Sequence, residues 1–142
     1  MRGPILAGRS ILVVEDEPLI ALDIEIALRR VGAKVLSTAY LWVGLHFAKH
    51  PGLSAAVLDL RLGLDDCTAI CRRLSKLRVP FIFHSGYGGA AANELWPNAP
   101  VLSKPANAER IVKAVVSTLP KARSRRAVKR RGSRAVIGVL TH

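Results

Sequence analysis

Five short apolar runs, at residues 11–14, 34–38, 55–58, 81–83 and 101–102, recur along the chain with centres about 20–25 residues apart. Each is continuously hydrophobic rather than alternating with polar residues, which is the pattern of strands buried on both faces. The intervals leave room for one helix and two short loops per unit. They also carry helical periodicity. From 18 to 31, Ile20, Ile24, Ala27 and Val31 share one face and the helix ends before Gly32. In the third interval Cys67, Ile70, Cys71, Leu74 and Leu77 form a stripe opposite Arg72, Arg73 and Lys76. From 106 to 119, Ile111, Val112, Val115 and Leu119 are the candidate core face, and Pro120 stops the helix. The fourth interval, rich in Gly and Pro, has space for two or three helical turns only. Five βα units at this spacing predict an α/β fold, a parallel sheet with helices on both faces and right-handed crossovers.

A chain of 142 residues, half of them hydrophobic, is long enough to close one apolar core. No apolar run approaches the ~20 residues that span a bilayer, and the start is too interrupted for a secretory h-region. Two cysteines make no disulfide framework. A cytoplasmic location is the resulting expectation. The formal net charge of +12 is unevenly spread, because residues 121–142 hold eight Lys or Arg and no acid. The expected organisation is an N-terminal extension at 1–8, one domain at 9–119 and a basic tail at 120–142. The tail has the charge to meet nucleic acid or an acidic surface. It lacks any aromatic, recognition helix or zinc spacing, so a solvated extension is the preferred reading.

In such sheets ligands bind beyond the carboxyl ends of the strands. Those ends carry Glu15-Asp16, Asp59, Ser85 and Lys104-Pro105. Crowded carboxylates repel one another unless a cation intervenes. Glu15, Asp16 and Asp59, with the backbone carbonyl of Arg61, form an oxygen set suited to Mg²⁺, which would also offset the charge of a phosphoryl group. Asp59 ends the run AAVLD and is the candidate nucleophile for an aspartyl phosphate. Lys104 would neutralise one phosphoryl oxygen and Ser85 would donate a hydrogen bond to another.

The segments ILVVEDEP, VLDLRL, HSGYG and LSKPA, in this order and spacing, resemble the receiver domain of bacterial two-component response regulators over about residues 10–119. The resemblance implies a flavodoxin-like (βα)5 doubly wound sheet of strand order 2-1-3-4-5. It implies phosphoryl transfer to Asp59 from a sensor histidine kinase or phosphotransfer protein, with Mg²⁺ held by Glu15, Asp16 and Asp59. Ser85 would be the switch hydroxyl, Lys104 the phosphoryl partner, and the Lys104-Pro105 peptide cis. Two departures bear on output: Val101 stands where receivers commonly carry an aromatic, and Gly63 where they often carry proline. PFIFHSGYG is also similar to a receiver subgroup found among single-domain regulators of alphaproteobacteria. The expected output is altered binding to a downstream protein, not enzymatic turnover. The alternatives are a DNA-binding regulator using the tail and a degenerate receiver acting as an interaction module. A haloacid dehalogenase-type phosphatase would place its nucleophile after the first strand, unlike Asp59.

Other polar residues have simpler readings. Glu15 to Glu17 before Pro18 also suit a helix start. Cys67 and Cys71 lie on the apolar stripe and read as core. Asp65 and Asp66 read as caps of the third helix. Trp42 and Trp96 read as core or interface anchors. His84 should face away from Ser85 by strand alternation and reads as a packing or rim residue. His46, His50 and His142 form no pattern.

Overall fold

The computed structural model describes residues 3–59, 64–86 and 89–120. Within them the chain alternates β1 (Ser10–Val14), α1 (Pro18–Arg30), β2 (Lys34–Thr38), α2 (Leu41–Phe47), β3 (Leu53–Asp59), α3 (Leu64–Lys76), β4 (Phe81–Ser85), α4 (Gly89–Leu95), β5 (Val101–Ser103) and α5 (Ala108–Thr118). The five strands form one parallel sheet in the order β2-β1-β3-β4-β5. The expected fold class and strand order are those observed.

Alternation along the strands divides the core into two layers. On one face Ile11 and Val13, Ala55 and Val57, and Ile82 pack with Ile24 and Leu28 of α1 and Ile111 and Val115 of α5. On the other, Leu12 and Val14, Ala56 and Leu58, and Phe81 and Phe83 pack with Cys67, Ile70, Cys71 and Leu74 of α3 and Ala92 of α4. Cys67 and Cys71 are therefore core residues. Burial, with Cys67 adding to it, pushes the Cys71 thiol up to about 12.

Burial on both faces holds for β1 and β4 and nearly throughout β3. It fails for β2 and β5, which are only partly buried because they are the sheet edges. Leu77 is 49% exposed, one turn beyond the α3 stripe it was assigned to, and Trp42 is 75% exposed and so outside the core. Trp96 meets Phe81 edge-on at 5.7 Å. Helix α3 begins at Leu64, so Asp65 and Asp66 lie inside its first turn rather than at the cap. Their side chains lie outside the described residues. The segment set aside as an N-terminal extension contributes to the core through Leu6, which is fully buried. Its N–H donates to the Val31 carbonyl at 2.7 Å. Gly32, at φ +99°, lets the chain turn there: a Cβ would stand 2.9 Å from the Ala7 nitrogen. Among the described residues no helix is long and apolar enough to cross a membrane.

Candidate functional site

The parallel register sets out the carboxyl edge of the sheet. Val14 lies abreast of Leu58, so Glu15 follows abreast of Asp59. Asp59 pairs with His84, and Ser85 with Ser103, directly before Lys104. By alternation Glu15 continues the Val13 side, Asp59 the Val57 side, His84 the Ile82 side and Lys104 the Leu102 side. All four therefore rise above the layer covered by α1 and α5. Ser85 turns the other way, with Phe83. Backbone bonds extend the ladder into the site: the Glu15 N–H donates to the Thr38 carbonyl at 3.0 Å, and the Lys104 N–H to the Ser85 carbonyl at 2.7 Å. The Lys104-Pro105 peptide is cis, as the resemblance implied.

Glu15 and Asp59 are almost wholly buried. Lys104 Nζ sits between them, 3.2 Å from Glu15 Oε1 and 3.2 Å from Asp59 Oδ2. Glu15 Oε2 accepts the Glu17 backbone N–H at 3.2 Å, and His84 Nδ1 lies 3.8 Å from Oε1. Burial alone would raise the Glu15 carboxyl. Its contacts with His84, Asp59 and Lys104, and the Lys104 charge, outweigh that and lower it from 4.5 to about 2. Asp59 is held from behind as well, where Cys67 Sγ donates to its backbone carbonyl at 3.7 Å.

Glu15, Asp16 and Asp59 each offer one carboxylate oxygen, and these atoms lie within 4.8 Å of one another. Carboxylate oxygens gathered this closely are near enough for one hard divalent cation to take them as ligands. Three carboxylates face one ammonium here, a charge balance that a divalent cation would complete. The donor set therefore fits Mg²⁺. Arg61, expected to add a backbone carbonyl, lies outside the described residues, as do Gly63 and the tail at 121–142. Ser85 is buried at the end of β4 and tied to Lys104 through the backbone.

One member of the cluster was not expected there. His84 does face away from Ser85, and of the two readings, packing or rim, it takes the rim, beside Glu15. The alternation of PFIFHS held half of this information. The other half, that His84 stands opposite Asp59 across the β3–β4 pair, belongs to the register.

The chain has the fold of response-regulator receiver domains, which are its structural neighbours. The receiver domain of the sensor histidine kinase PA1611 from Pseudomonas aeruginosa, solved with magnesium coordinated in its active-site cleft, is 27% identical with a TM-score of 0.64. That match takes in 77% of this chain and 95% of that one. The BeF3-activated SdrG from Pseudomonas melonis Fr1 is 28% identical over 78% of this chain and 98% of its own, with a TM-score of 0.62. A receiver protein from Sinorhizobium medicae, 20% identical, shares the fold at a TM-score of 0.68 over 78% of this chain and 94% of that one. Among curated proteins, the phyllosphere-induced regulator PhyR of Methylorubrum extorquens is 34% identical over 82 residues, 55% of this chain. Those residues are 31% of PhyR, so the chain spans less than a third of the curated relative it matches. No protein-family profile matches the chain.

Proposed function

We propose that this chain is a phosphorylatable receiver that takes a phosphoryl group on Asp59 and signals through altered protein binding. The observation that carries the reading is the position of Lys104 Nζ, 3.2 Å from Asp59 Oδ2, beside a three-carboxylate cluster at the carboxyl edge. The rigid end of β3 holds the Asp59 carboxylate in place. One of its oxygens attacks phosphorus, the P–N bond to the donor's phosphohistidine breaks, and the departing imidazole takes up a proton. Lys104 places positive charge where the phosphoryl oxygens arrive, and Ser85, at the end of β4 but turned to the other face, would have to swing its hydroxyl across to donate to one of them. Mg²⁺ held by Glu15, Asp16 and Asp59 would supply charge compensation for the incoming group. A similar regulator, and a similar receiver domain solved with magnesium in its active-site cleft, support this reading.

The partners in this reading are a histidine kinase or phosphotransfer protein upstream and a protein target downstream, in the cytoplasm. The chain is a signalling domain and not a turnover enzyme. Incubation with acetyl phosphate and Mg²⁺ followed by intact mass measurement tests it. A gain of one phosphoryl mass in the wild type and none in Asp59→Asn is the expected result. An equal gain in both would remove Asp59 from the role. No gain with either acetyl phosphate or a phosphorylated phosphotransfer protein would mark the chain as a degenerate receiver.

A further inference from the structure

His84 is 2% exposed. Neither of its ring nitrogens has a hydrogen-bond partner among the described residues. Buried polar nitrogens are nearly always paired, so each exception asks for a reason. Glu15 Oε1 stands 3.8 Å from its Nδ1. That is just under 1 Å beyond a good hydrogen bond of about 2.9 Å. The same carboxylate oxygen is 3.2 Å from Lys104 Nζ, which also serves Asp59 at 3.2 Å. Glu15 Oε1 therefore lies between the Lys104 ammonium, its ion-pair partner at 3.2 Å, and the His84 imidazole, farther off at 3.8 Å. The Glu15 side chain is 2% exposed, so bulk water has little access to replace either of them.

We infer that His84 is a positioning residue that takes over Glu15 Oε1, through Nδ1–H, when Lys104 is drawn onto a phosphoryl oxygen at Asp59. The inference rests on Asp59 being the phosphoacceptor. A phosphoryl group brings new negative charge beside Lys104 and competes for its ammonium. Glu15 would then be a buried carboxylate losing its cation at the moment its orientation toward Mg²⁺ matters most. His84 cannot travel far, because β4 is locked between β3 and β5. Glu15 can, because its side chain has one more rotatable bond than an aspartate and needs less than 1 Å. His84 touches no reacting atom in this scheme and acts through Glu15.

The experiment titrates the full chain with Mg²⁺ by calorimetry, with and without beryllofluoride as the phosphoryl mimic. His84→Leu and His84→Asn are each compared in the wild-type and Glu15→Gln backgrounds. With beryllofluoride, His84→Leu is expected to weaken Mg²⁺ binding about tenfold. His84→Asn, which keeps an N–H near the position of Nδ1, stays within about twofold of the wild type. In Glu15→Gln the His84→Leu change has no further effect, and without beryllofluoride its effect is smaller. A long-range ¹⁵N spectrum of the wild-type imidazole should show the Nδ1–H tautomer once beryllofluoride is bound, a readout that needs no folded variant. Equal losses in both Glu15 backgrounds, equal losses with and without the mimic, or a wild-type ring unchanged while the mimic binds would each overturn the inference. Failure of the wild type to take up beryllofluoride is a different result: it removes the phosphoacceptor reading first, and this one with it.

Discussion

Replacing Lys104 by methionine keeps most of the side-chain stem and deletes the ammonium, leaving Glu15 and Asp59 buried with no cation between them. Each Lys104 contact spans 3.2 Å, worth about 5 kcal/mol of attraction at an effective dielectric constant of about 20. Desolvation of the ions offsets much of that gain, so removing one partner from such a buried group costs roughly 3–5 kcal/mol. For a domain of this size that is a fall of about 10 °C or more in Tm at neutral pH. The dependence on pH separates lost charge pairing from lost packing. In the wild type the Glu15 carboxyl is lowered from 4.5 to about 2. Its contribution is present above 4.5 and is lost as pH falls toward 2. In Lys104→Met the carboxylate pair repels itself, so one member is raised above its unfolded value. That penalty is absent at low pH and develops as pH rises past 4.5. The Tm deficit of the variant should therefore be largest near pH 7 and close progressively on acidification. Added Mg²⁺ should raise the Tm of the variant more than that of the wild type. Differential scanning calorimetry from pH 7 to pH 3 reads this directly. A deficit that stays constant over that range would show that the electrostatic argument is wrong and that Lys104 matters only by its volume.

Two further outcomes follow from the packing. Asn107 caps α5, its Oδ1 accepting the Arg110 N–H at 2.8 Å, so Asn107→Ala should lose about 1 kcal/mol in urea unfolding while Asn107→Asp stays near the wild type. The Cys71 thiol, pushed up to about 12 by burial, should resist iodoacetamide at pH 8 in the folded protein and react only after denaturation; rapid native labelling, followed by mass spectrometry, would contradict its place in the core.

Spacing along the chain is a local property, and it sufficed for the five βα units and for which residues end the strands. Glu15, Asp16, Asp59 and Lys104 were legible as one set for this reason: a parallel sheet brings its carboxyl ends to one rim whatever the order of its strands. Alternation, also local, told that His84 and Ser85 face opposite ways. It could not tell what each would meet, because side-chain neighbours across a sheet depend on which strand lies alongside and in what register. Only the pairing of Asp59 with His84 turned a packing or rim residue into a neighbour of Glu15. The same limit explains the edge strands, since the composition of 34–38 and 101–102 does not say that β2 and β5 have a neighbour on one side only. It explains Leu6 too: one apolar residue in a turn has no period to read, and its burial depends on where α1 ends and on the turn at Gly32. The elements and the chemistry they carry were thus written in order along the chain, whereas proximity between residues far apart in it was decided by the hydrogen-bonded ladder and by the helices packed on its two faces.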